Sequence, residues 1–176
     1  MQWQCMSLSR AGYGASPNAR NATGEKPGKE QTMSTRAAIG MRLPDGTIKA
    51  VYCHNDGYPD WTGAILGGWY KTPERVKQLL DLGSLSILGK KLKPAPGAPH
   101  TFSAPQRDVT IAYHRDRNDP LRPGETYATI EEYQAKAPED FGASYIYLFE
   151  DGVWSFYDIY GERQWTALNV TVGGRD

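Results

Sequence analysis

At 176 residues, 39% of them apolar and 11% aromatic, the chain is long enough to bury a core in one domain. Twenty basic residues balance 20 acidic ones, which argues against a broad electrostatic footprint for nucleic acid or an anionic membrane. No apolar run approaches the roughly 20 residues of a spanning helix, and MQWQCMSLSR lacks the apolar stretch of a secretory signal, so a cytoplasmic protein with no membrane partner is expected.

Residues 1–33 are rich in Gly, Ser, Asn, Ala and Lys and carry no hydrophobic period. They are expected to form a disordered leader or tail, with Met33 as the natural start. The body, residues 34–172, is expected to be a single α+β domain. A disulfide between Cys5 and Cys53 is not expected, and Cys53 reads as a small buried hydrophobe.

Ala37–Leu43 and Thr47–Cys53 alternate with period two and flank Pro44-Asp45-Gly46, a turn signal, so they predict a hairpin. Trp61–Tyr70 predicts a helix. Thr72-Pro73-Glu74 opens a second one, with threonine as cap, proline in the first helical position and an acid in the first turn. Val76, Leu79 and Leu80 form its buried stripe, and Gly83 marks its end. Residues 89–107, with three lysines, four prolines and two glycines, predict a long loop, poorly ordered or used for binding. Asp108–His114 reads as a third strand. A short third helix starts at Thr129 and is expected to end before Pro138. Ser144–Glu150 and Val153–Ile159 flank Asp151-Gly152, the strongest hairpin signal in the chain. Gln164–Val172 reads as a last strand or helix. The whole predicts an antiparallel sheet of about five strands with two or three helices packed on it.

Two phrases carry candidate chemistry. His54-Asn-Asp56 and His114-Arg-Asp116 each follow an apolar run and a tyrosine. If their strands are neighbours running the same way, His54, Asp56, His114 and Asp116 meet at one sheet edge. Two imidazoles and two carboxylates suit Zn²⁺, Mn²⁺ or Fe²⁺, or serve as acid and base in phosphodiester hydrolysis with Arg117 steadying the phosphate. Two-histidine phosphoesterases instead carry His-x-Thr or His-x-Ser; an Asp there repels phosphate unless a metal intervenes. The opposing reading makes Asp56 and Asp116 turn caps and gives His114 a local hydrogen bond.

Asp56-Gly57-Tyr58-Pro59 is turn chemistry, and Tyr58 and Trp61 flank it as an aromatic platform for a ligand or partner. Gly63, Gly67 and Gly68 inside a helix imply close packing. Arg115, Arg117 and Arg122, with Lys90, Lys91 and Lys93, form a mixed-charge stretch that is either self-paired or an anion contact. Tyr145, Tyr147 and Phe149 alternate opposite Trp154 and Phe156, as a stacking surface for bases or as core.

The stretches STRAAI, VYCHNDGYPDWTGAILGGWY, TPERVKQLLDLGSLSIL, AYHRDR and YIYLFEDGVWSFY together resemble a family of small uncharacterised phage and prophage proteins. Family members read Gly-Glu where this chain has Asn118-Asp119. The resemblance implies a phage- or mobile-element-encoded accessory protein in the host cytoplasm. It would bind a host protein or a small ligand without turnover, through His54, Asp56, Tyr58, Trp61, His114, Arg115 and Arg117, with no cofactor. The alternatives are a divalent-metal-dependent phosphodiesterase or nucleotide hydrolase, and a single-stranded nucleic-acid binder.

Overall fold

Pro44-Asp45-Gly46 closes the first hairpin as its residue types require. Gly46 takes φ +88, and the Asp45 carboxylate accepts from the Thr47 amide and hydroxyl at 3.0 and 2.7 Å. The computed structural model describes residues 34–168, in which β1 (Ala37–Arg42) and β2 (Ile48–Cys53) pair antiparallel across this turn. The predicted leader and the stretch beyond Leu168 lie outside the described residues.

After β2 the chain leaves the sheet. Pro59–Gly63 forms one π-helical turn and runs into α1 (Ala64–Trp69). The Thr72 hydroxyl caps α2 (Pro73–Leu80) by accepting from the Arg75 amide. Val76, Leu79 and Leu80 are its buried residues, as their spacing predicts. Gly83, at φ +72, turns the chain back into β3 (Leu85–Ile87), which pairs parallel with β2. β4 (Ile111–Ala112) pairs antiparallel with β3 and passes at once into α3 (Tyr113–Arg117). β5 (Glu125–Tyr127) pairs with the first half of β2, and α4 (Ile130–Phe141) follows. β6 (Tyr145–Glu150) pairs parallel with β1, then antiparallel with β7 (Val153–Asp158), which pairs with β8 (Trp165–Ala167).

The α+β class stands, but the antiparallel sheet of about five strands does not. Among the described residues the sheet has eight strands in the order β4-β3-β2-β1-β6-β7-β8, with β5 added on β2. It is mixed because β1–β6 and β2–β3 are parallel. The β2-to-β3 connection carries α1 and α2 over one face, as parallel pairing demands a crossover. Its core joins Ile65, Leu66 and Leu79 to Ile39, Val51 and Phe149. On the other face Tyr133 and Ala137 of α4 pack on Ala38, Ile48 and Ile146.

Two further expectations are corrected. The strand expected over Asp108–His114 is only two residues long, because Tyr113 opens a helix that ends at Asn118 with φ +62. The third helix runs through Pro138 to Phe141. Its last turn tolerates the missing amide, and the Pro138 carbonyl accepts from Ala143 at 3.1 Å as Gly142 takes φ +58.

The aromatic ladder is core. Tyr147, Phe149 and Trp154 are buried on the α1 face, so these rings are not available to stack on bases. The Trp154 indole donates to the Tyr70 carbonyl at 2.7 Å, and the Tyr147 hydroxyl donates to the Gly57 carbonyl at 2.8 Å. Tyr147 thereby fixes the bend after β2 from beneath. Gly63 shows the close packing its type implies: a Cβ there would lie 3.0 Å from Leu168, whereas Gly68 has open space. Among the described residues, no helix is long and apolar enough to cross a membrane.

Candidate functional site

β3 lies between β2 and β4, and its direction decides the fate of the two His-x-Asp phrases. It runs parallel to β2 and antiparallel to β4, so β2 and β4 oppose each other. The geometry that would gather four ligands at one edge required them to run together. His54 instead meets the Tyr52 hydroxyl through Nδ1. Burial pushes that hydroxyl above its usual pKa, so it stays protonated. Asp56 takes φ +55 and shapes the bend, its carbonyl accepting from the Thr62 hydroxyl at 2.7 Å. His114 is exposed on α3 and donates from Nδ1 to the Asp119 carbonyl at 2.8 Å. Asp116 turns inward. Among the described residues no group of three or more His, Cys, Asp and Glu is placed to hold a metal ion. The proposed Zn²⁺, Mn²⁺ or Fe²⁺ set of His54, Asp56, His114 and Asp116 is therefore not assembled.

Asp116 is the centre of a buried knot. Its side chain is 1% exposed, accepts from the Ala112 amide at 2.8 Å, and takes two bonds from Arg115 at 2.6 and 2.8 Å. His100, 3% exposed, sits 3.3 Å from it through Nε2. The Gln106 amide donates to His100 Nδ1 at 3.0 Å, which assigns the remaining ring proton to Nε2, facing Asp116. A carboxylate and an imidazole in contact resemble half of a catalytic triad. Here the second ring nitrogen is already occupied by a backbone amide, so the pair has no free base to offer. Its work is structural. Arg115 also donates to the Leu92 carbonyl at 2.6 Å and to the Thr110 carbonyl, tying both ends of the 89–107 loop to α3. Gln106 stitches the loop to itself through Ala95 and Ala98. Arg117 lies over the Phe102 ring, 5.1 Å from its centroid. The loop expected to be poorly ordered or used for binding is thus pinned, and Arg115 and Arg117 are its clasps.

The pinned loop forms one wall of a groove. The other wall is the helical run after the bend, where Trp61, Ile65 and Trp69 fall at i, i+4 and i+8. Ile87, Leu88 and Ile111 make the floor, and Pro105–Asp108 the far side. The cavity measures about 630 Å³. Trp61 and Trp69 are 45% and 43% exposed, and eight residues of helix put them roughly 12 Å apart. Lys90 holds its ammonium 4.7 Å from the Trp69 centroid, leaving a cation beside the indole. Tyr58, 39% exposed, stands on the bend beside Trp61.

Of the residues expected to share one surface, the groove takes Trp61 and the loop. His114 lines a different cavity, with Tyr52 and Arg122, on the side of the sheet that carries α4. Sequence reasoning missed Trp69 and Ile111. The spacing of Trp61, Ile65 and Trp69 held the signal for the first. Comparison of the chain with protein-family models, curated proteins and solved structures finds no match.

Proposed function

We propose that this chain is a phage- or mobile-element-encoded accessory protein that binds a host protein without catalysing a reaction, and that the Trp61–Trp69 groove is its contact surface. The observation that carries this reading is the pair of exposed indoles on one helix face above an apolar floor. Tryptophan is enriched among the residues that dominate binding energy, and an apolar concavity of this size is too large to leave wet without reason. Lys90, Arg107 and Asp108 stand at its rim, where polar groups add selectivity. The groove's walls do not depend on a bound partner to form, because the Asp116 knot fixes one and core packing fixes the other. That preorganisation favours binding. The loss of the four-ligand cluster and the burial of the ring ladder remove the main supports of the hydrolase and nucleic-acid readings.

The test is capture from host lysate by three proteins: wild type, the double variant Trp61→Ala/Trp69→Ala, and Val153→Ser on the β6–β7 hairpin as a control. The proposal expects one stoichiometric partner bound by wild type and the control and lost by the double variant. Equal capture by all three would remove the groove from the account.

A further inference from the structure

A second cavity lies on the opposite face of the sheet from the indole groove. It occupies about 230 Å³ between the end of β2, the start of β3 and α3. Its lining includes Tyr52, Ser84, Tyr113, His114, Asp119 and Arg122. The segment 118–124 crosses here between α3 and β5, and it is held by backbone. Ser84 donates its amide to the Arg122 carbonyl at 3.2 Å, and Gly83 is a glycine because a Cβ would collide with that carbonyl. Pro120 and Pro123 fix φ on either side of Arg122. The Tyr113 ring stacks on Phe102, with centroids 5.8 Å apart. The walls are therefore set before any ligand arrives.

Several polar groups on these walls are unspent. Among the described residues the Ser84 and Tyr113 hydroxyls form no hydrogen bond, and the Arg122 guanidinium forms neither a hydrogen bond nor an ion pair. His114 donates from Nδ1 to the Asp119 carbonyl, so the neutral ring presents Nε2 as an acceptor. The Asp119 carboxylate has only a loose pairing, 3.6 Å from Arg117, and its side chain is 41% exposed. Cation and hydroxyl donors thus share one small cavity with a ring acceptor and a carboxylate. A simple anion satisfies the first set and is repelled by Asp119. A simple amine satisfies the second and is repelled by Arg122. A molecule with both groups satisfies all of them.

We infer that this cavity binds a small zwitterion of the α-amino-acid class, its carboxylate held by Arg122 with the Ser84 and Tyr113 hydroxyls and its ammonium by Asp119 and His114 Nε2. The rings of Tyr52 and Tyr113 give the side chain an apolar seat, and the volume admits one residue rather than a peptide. The site goes beyond the groove and does not require it.

The experiment is an amide-resonance titration of the full chain with L-phenylalanine, with 3-phenylpropionate and phenethylamine as its two halves. L-Phenylalanine is expected to give saturable shifts at Ser84, Tyr113 and Arg122, and each half molecule to bind at least ten-fold more weakly. Arg122→Gln should weaken L-phenylalanine about ten-fold and leave phenethylamine unchanged. Asp119→Asn should weaken L-phenylalanine and leave 3-phenylpropionate unchanged. Both positions are on the surface, and a native amide spectrum for each variant checks that it folds. Absence of saturable shifts, or a half molecule binding as well as the whole, overturns the inference. Trp61→Ala should have no effect, so loss of the groove and loss of this site are told apart.

Discussion

Replacing Asp116 by alanine tests the claim that a buried charge knot, and not a catalytic centre, lies behind the second His-x-Asp phrase. The carboxylate accepts three hydrogen bonds, two of them from Arg115, lies 3.3 Å from His100 Nε2, and its side chain is 1% exposed. Removing one partner of a buried ion pair costs about 3–5 kcal/mol, mostly because the other charge is stranded. Arg115 keeps its bonds to Leu92 and Thr110 and is 26% exposed, so water relieves part of the penalty. The low end, about 3 kcal/mol, is the expected loss in chemical denaturation. Asp116→Asn should lose less, since the Ala112 amide keeps an acceptor. Burial alone pushes the Asp116 carboxyl up, but the bonds from Arg115 and Ala112 and the charge of Arg115 outweigh it and hold it below the usual carboxylate range. A lowered folded value means that the carboxylate stabilises above the unfolded pKa of about 3.9 and stops doing so as pH falls through the folded one. The gap between wild type and Asp116→Asn should therefore hold above about pH 4 and narrow below it. A loss under about 1 kcal/mol for the alanine variant would refute the knot, since an exposed pair contributes no more than that.

Three further outcomes follow from packing. Gly124→Ala should destabilise by clearly more than Gly46→Ala: both glycines have positive φ, +89 and +88, but only the Cβ at 124 would collide with the Ala50 carbonyl. Gly46→Ala should cost about 1 kcal/mol by denaturant titration, the strain of the left-handed backbone alone. Tyr133→Phe removes a buried hydroxyl that donates to the Tyr147 carbonyl at 3.0 Å, and should cost about 1–1.5 kcal/mol by the same measurement. Burial pushes the Cys53 thiol up to about 12, so in a Cys5→Ser background a disulfide reagent at pH 8 should label it no faster than the protein opens.

Much of the scaffold was legible because its signals are local. Thr72-Pro73 capped α2, Pro44-Asp45-Gly46 and Asp151-Gly152 closed hairpins, and Val76, Leu79 and Leu80 marked a buried face. What failed was non-local or too short to carry a period. β3 and β5 have three residues each, and nothing in Leu85–Ile87 announces that it separates β2 from β4. That one insertion reverses the direction of the second phrase and disperses the four candidate ligands. Tyr113 continues the alternation of the strand before it, yet it starts a helix, because Asp116 can reach back to cap the Ala112 amide. His100 lay inside a Pro-rich stretch whose composition reads as loose; Gln106 within it and Arg115, Asp116 and Arg117 beyond it make it rigid. Trp69 was visible at eight residues from Trp61, but the glycines between them drew attention to packing instead of to the exposed face.

The groove reading is tested most directly by amide hydrogen exchange on the protein alone and with its captured partner. Slowed exchange confined to residues 60–69, 87–90 and 105–111 on complex formation is the predicted result. Protection concentrated elsewhere, for instance on β7 and β8, or no protection at all in those three segments, would contradict it.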